Sequence, residues 1–287
     1  MMTTLLLLLL AIGLVPLALG MAFLGSPASG ATPLRLPTGS ILLCALAFNL
    51  TFLWQELWLV IPKALTPGLH PILYHNNHNW TGDSPRVDLL QGAGALATLV
   101  SGLVFTGGLV VARRASVTWR LFLFWMAFQG LYQSLTQLAI GTLLPGNDVG
   151  VALDYLHVGA AAKWLLLALA VIAMALAGAG LARACPSSGE QGSTNLTRRF
   201  GQVMLAATML AIVLIIPFRL PRDMVEVALI PLFVNLVGVG WLTFGAAIIR
   251  RGAAHEGDER AGVIGPAIAL GTALLLFQLI LRPGVAI

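Results

Sequence analysis

Two stretches of this sequence hold the residue types that do chemistry. The first, Glu56 to Asp88 (ELWLVIPKALTPGLHPILYHNNHNWTGDSPRVD), contains His70, His75 and His78, three of only five histidines. His75 and His78 are three apart and share a face if the segment is helical. Two neutral imidazole nitrogens so placed can reach one metal ion. The metalloprotease motif HExxH requires a different spacing and a glutamate base, and His-Asn-Asn-His lacks both. The second stretch, PGNDVGVALDYLHVG, contains Asp148, Asp154 and His157 and no basic residue. Asp154 and His157 are again three apart. The expected metal ligands are His75, His78, Asp154 and His157, with Glu56 and Asp148 as acid–base groups. Such a mixed ligand set suits zinc, iron, copper or manganese, and haem is the other cofactor that these histidines can serve. The plainer reading is loop polarity, with Asp148 as a turn or N-cap residue after Pro-Gly-Asn.

A second class of candidates lies inside apolar runs. Glu56 sits near the end of such a run, with Asn49 seven residues earlier on the same face. A carboxylate there costs a few kcal/mol unless it is paired, protonated or wet. It points to a bundle interior, with Lys63 as one cation that could pair with it. Gln129, Gln133 and Gln137 follow at spacings of four and form one helical stripe flanked by Ser134 and Thr136. Three amides cannot face lipid, so the stripe faces other helices or a wet path. Gln91, Gln202, Asn235 and Gln278 join this polar set as single amides. Lys163, six residues after His157, can snorkel or neutralise Glu56 or Asp154. Trp54, Trp58 and Trp80 read as interface anchors.

Spanning helices are the elements that must position these residues. The chain has 287 residues, 58% hydrophobic and 9% charged. Its mean hydropathy is +0.91. A soluble domain carries roughly a quarter charged residues, so the excess apolar surface must meet lipid. The apolar residues run unbroken rather than alternating, which excludes a barrel. The fold class is therefore all-α, a polytopic membrane bundle of about eight helices in one domain, 1–287. The spans fall at about 4–25, 39–61, 89–112, 118–144, 157–182, 200–218, 224–249 and 261–281. Pro16, Pro217 and Pro231 are the break candidates. Span 1 lacks a basic n-region and is too long for a signal h-region, so it reads as an anchor. Glycines of span 3 (Gly92, Gly94, Gly102, Gly107, Gly108) permit close helix packing.

Ten Lys and Arg flank the odd connections (Arg35; Arg113, Arg114, Arg120; Arg183, Arg198, Arg199; Arg250, Arg251, Arg260) and four the even ones (Lys63, Arg86, Arg219, Arg222). The positive-inside rule places the odd connections in the cytoplasm and both termini outside. The net charge of +5 is thereby explained by orientation, and no nucleic-acid partner is expected. The Arg-rich, Lys-poor balance suits a bacterial cytoplasmic (inner) membrane. Cys44 and Cys185 fall in different environments and form no disulfide or CxxC pair.

Three functions fit. One is a metal-dependent membrane enzyme or redox protein with an outward-facing His/Asp/Glu cluster. Another is a proton-coupled transporter or channel using Glu56 and a polar path of Asn49, Gln129, Gln133 and Gln137. The third is a non-catalytic membrane subunit docking a membrane or periplasmic protein partner through its outer loops.

Overall fold

The computed structural model describes residues 2–24, 38–186, 198–220, 222–249 and 262–287. Ten α-helices are described: α1 (Met2–Phe23), α2 (Thr38–Ala64), α3 (Val87–Leu90), α4 (Ala93–Val111), α5 (Val117–Leu143), α6 (Asp148–Tyr155), α7 (Ala160–Ala184), α8 (Arg198–Arg219), α9 (Ile230–Ile249) and α10 (Ile264–Leu276). Strands β1 (Leu69–Tyr74), β2 (Asn77–Gly82) and β3 (Val285–Ala286) make one small antiparallel sheet, ordered β2-β1-β3.

Six helical segments are long and apolar enough to cross a membrane: Thr38–Ala64, Val87–Val111, Ala160–Ala184, Arg198–Arg219, Val225–Ile249 and Ile264–Leu281. Each overlaps an expected span. Large apolar side chains of α4 (Leu96, Val100, Leu103, Val104), α7 (Leu165, Leu169, Ile172, Leu176) and α10 (Ile268, Leu275) are exposed, as lipid-facing surfaces require. Two more expected spans are also helices. The 22-residue α1 is apolar from Leu5 to Phe23. The 27-residue α5 is long enough at about 40 Å, but it is less apolar. It runs through the core, with Phe124, Trp125, Phe128 and Tyr132 fully buried. A helix enclosed by other helices needs no apolar outer face and can carry the glutamines.

Side-chain bonds give the relative direction of α2 and α5. Trp125 Nε1 donates to Ser40 Oγ at 2.9 Å, and Gln137 Nε2 to Gln55 Oε1 at 2.6 Å. The two helices therefore run the same way. Between α4 and α5 the backbones nearly touch: a Cβ on Gly102 would lie 2.6 Å from the Leu131 nitrogen. Gly102 thus has the expected packing role, whereas Gly107 meets nothing within 4 Å.

The prolines behave differently from the expectation. Pro16 and Pro217 lie inside continuous helices. Only Pro231 coincides with a change, a π-helical turn at Val225–Leu229 just before it. A widened turn is one way to accommodate a missing N–H.

The second connection is not a helix that would put His75 and His78 on one face. It is a hairpin, with Leu69 opposite Gly82 and Tyr74 opposite Asn77. His75 and Asn76 form its two-residue turn, while His78 lies in β2. The last residues return to the same sheet, with Leu73 opposite Val285. At the base of the hairpin, Gly68 and Gly82 have φ of +86° and +90°. The Gly82 site has no room for a side chain, since a Cβ there would lie 1.8 Å from the Gly68 carbonyl oxygen.

Candidate functional site

Glu56 and Lys63 lie two turns apart on α2 and so point the same way. The hairpin folds back over this face and inserts His78 between them. His78 Nδ1 is 2.8 Å from Glu56 Oε2, and its Nε2 is 3.2 Å from Lys63 Nζ. Lys63 is completely buried and also donates to the Leu59 carbonyl at 2.9 Å and to Gln91 Oε1 at 3.1 Å. Its three ammonium protons thus meet three acceptors.

That count determines the histidine tautomer. An ammonium only donates, so His78 Nε2 must accept. Nδ1 then carries the proton and donates to Glu56. Lys63, His78 and Glu56 thus form one continuous hydrogen-bonded relay. Trp80 closes it from outside: its ring stacks on His78 at 5.7 Å and lies 4.8 Å from Lys63 Nζ. Trp80 is therefore part of the cluster and more than an interface anchor.

Two further charges act on the relay. Asp148 begins α6, behind the N-cap Asn147, whose side chain accepts from the Val149 nitrogen. Burial, and then the charge of Glu56, raise the Asp148 carboxyl above its ordinary range, against the pull of His78 and Lys63. The buried Arg219 at the end of α8 stacks on Phe52 at 4.6 Å and lies within electrostatic range of Glu56.

A buried polar stripe leads away from this cluster into the bundle. Gln55, beside Glu56, accepts from Gln137. Gln133 donates to Gln129 Oε1 at 3.3 Å, and Gln129 to Asn235 Oδ1 at 2.9 Å. Thr51 Oγ1, Gln133 Oε1 and Thr136 Oγ1 are buried and have no hydrogen-bond partner among the described residues. Thr51 is one turn before Gln55, and Gln133 one turn before Gln137. The Thr51 and Gln133 atoms therefore lie along the α2–α5 seam one turn from the Gln55–Gln137 bond, and Thr136 is on the neighbouring face of α5. Asn49 is buried but serves its own helix, donating to the Ala45 carbonyl at 2.8 Å.

The expected metal set does not assemble. Among the described residues, no group of three or more His, Cys, Asp or Glu side chains is placed to hold a metal. The side chains of three of the expected ligands have other partners, and His157 turns the backbone at a helix end. His75 contacts the Phe218 carbonyl at 3.2 Å, and His78 bridges Glu56 and Lys63. Asp154 pairs with Lys163. His157 has a φ of +52°. Its nitrogen bonds to the Asp154 carbonyl at 2.9 Å, and that of Val158 to Leu153 at 3.0 Å, so it caps α6 in the manner of a Schellman motif. The three-residue spacing that suggested shared faces came from a hairpin turn in one case and a helix cap in the other.

Lys63 is the group the sequence understated. It was visible as a cation near Glu56, but only the hairpin places His78 between the two. No protein-family model, curated protein or solved structure matches this chain.

Proposed function

We propose that this protein is a multi-pass protein of a bacterial cytoplasmic membrane that moves protons through Glu56, His78 and Lys63, as the conducting route of a channel or proton-coupled transporter. In this reading α1 and α5 complete eight spans. The hairpin, the α5–α7 connection and both termini face outward, as the ten-to-four distribution of Lys and Arg implies.

The observation that carries the reading is the buried Glu56–His78–Lys63 chain. An intramembrane carboxylate hydrogen-bonded to an imidazole is the means by which pumps and transporters hold and pass protons. Lys63 passes a proton to His78 Nε2 and is reprotonated from the outer side, where Asp148 is the neighbouring acid, and His78 Nδ1 passes its own proton to Glu56. Beyond Glu56, the unpartnered oxygens of Thr51, Gln133 and Thr136 suit ordered water, which buried polar atoms of this kind recruit. Glutamine itself exchanges no proton, so water must carry it along the stripe while the amides orient that water.

The test is proton flux into liposomes that hold the protein and an entrapped pH dye, driven by a potassium–valinomycin potential. Wild-type protein is expected to conduct, and Glu56→Gln and His78→Asn are each expected to lower the flux at least tenfold. Equal flux in wild-type, Glu56→Gln and protein-free liposomes would overturn the reading.

A further inference from the structure

A second polar cluster lies at the tip of the hairpin and shares Arg219 with the surroundings of the relay. His75 and Asn76, the two turn residues, are each 8% exposed, and Arg219 is 4% exposed. The Phe218 carbonyl can only accept, so His75 Nε2 carries a proton and donates to it. His75 Nδ1, Asn76 Nδ2 and Arg219 Nη1 are buried and have no hydrogen-bond partner among the described residues. Two of these three atoms can only donate, and the third donates once the ring is protonated.

The surroundings are cationic. Arg219, Arg222 and Arg282 all lie within electrostatic range of the His75 ring. The half-buried Arg222 pairs with the exposed Glu226 at 2.9 Å. The exposed Arg282 donates to Gln278 Oε1 at 2.9 Å, and Gln278 in turn donates to the same Phe218 carbonyl at 2.6 Å. Glu56 and Glu226 are the acids within range of Arg219. Glu56 Oε2 is taken by His78, and Glu226 is occupied by Arg222. Three guanidiniums thus lie within electrostatic range of a hairpin tip whose buried donors lack an acceptor among the described residues.

We infer that Asn76, Arg219, Arg222 and Arg282 form a site for a phosphate group. Arg222 and Arg282 make its mouth, and Arg219 with Asn76 at the hairpin tip makes its floor. Planar guanidiniums match tetrahedral oxyanions, and each phosphate oxygen can accept from more than one donor. Such a group supplies the acceptors that the floor lacks and balances the excess positive charge. It could arrive as the headgroup of an anionic phospholipid or as free phosphate. The exposed apolar residues next to each mouth arginine favour the lipid: Met224 and Val225 beside Arg222, Leu279 and Ile280 beside Arg282. Acyl chains can lie against these while the phosphate meets the arginines. The site rests on the membrane reading of this end of the bundle and not on proton transfer. A failed proton-flux assay would leave it standing.

The test is thermal unfolding of the full chain, delipidated in a neutral detergent. Phosphatidylglycerol, inorganic phosphate and a phosphate-free glycolipid are added separately. Phosphatidylglycerol is expected to raise the midpoint by several degrees and the glycolipid is not. Arg282→Gln and Asn76→Ala, surface and turn changes that should still fold, are each expected to lose at least half of that rise. Arg219→Gln is expected to lose all of it. A comparable rise with inorganic phosphate identifies the free anion as sufficient, and a rise with phosphatidylglycerol alone identifies a lipid site. Equal effects of the three additives, or an undiminished rise in the variants, would overturn the inference.

Discussion

The second and fourth connections contain the same residue types and put them to different uses. Each has histidine and carboxylate within a few residues and a lysine within reach. In the hairpin, His78 is pressed onto α2 and joins Glu56 to a fully buried Lys63. In the fourth connection, Asp154 is exposed and pairs with Lys163, while His157 turns the chain at the end of α6. Burial is the difference. Under the hairpin the groups are buried, and each hydrogen bond is needed. At the surface, water can replace any partner.

The largest effect that would break this contrast comes from Lys63. Lys63→Ala removes a buried cation and leaves His78 Nε2, Gln91 Oε1 and the Leu59 carbonyl without their donor. The expected loss is about 3–5 kcal/mol of stability, read by denaturant unfolding in micelles. Lys163→Ala, which breaks the exposed pair, is expected to cost under about 1 kcal/mol. Equal losses would mean that the two connections are energetically alike.

Acid should act next, through the hairpin tip. Burial first, and then the neighbouring arginines, hold His75 at about 4, below its ordinary 6.5. The unfolded chain binds that proton near 6.5 and the folded one near 4, so the unfolded state holds more protons between them. This contribution to stability is complete above about 6.5 and disappears as the pH falls toward 4. The unfolding midpoint is expected to drop across that window in wild type and less steeply in His75→Gln. Parallel curves would show that His75 is not the group responsible.

Asp148 has the opposite sign. Its folded carboxyl is raised, so it stabilises the fold in acid and this contribution is lost as the pH rises through its folded value. Asp148→Asn removes the penalty of a half-buried charge and is expected to stabilise the protein at neutral pH by on the order of 1 kcal/mol. The gain should shrink on acidification, and a loss at neutral pH would show that the ionised form makes a needed contact.

The smallest effect belongs to the fourth connection. His157→Gly relieves a left-handed backbone at a helix cap and is expected to be neutral or stabilising by up to about 1 kcal/mol. Proton flux should not change. Loss of flux in this variant would draw the fourth connection into the site.

The helical class and the approximate limits of the apolar segments could be read directly, because long uninterrupted apolar runs have few other uses. Glu56 and the glutamine stripe could also be read, since a polar side chain in such a run must find company. The expected metal set does not come together among the described residues, because spacing alone does not distinguish a helical face from a hairpin turn. At His75-Asn76 the chain reverses after alternating strand positions, and a period of two there would have separated His75 from His78. Lys63 was undervalued because its position at a helix end suits an interfacial cation equally well.

By itself, then, the sequence determined that the chain is helical and apolar, with its ionisable groups gathered in a few places. Those properties follow from local composition and from the cost of burying charge. Tertiary structure alone decided that His78 would lie between Glu56 and Lys63 while His157 faced water. Partners 15 and 22 residues away are chosen by how the hairpin packs on α2, and no local propensity encodes that contact.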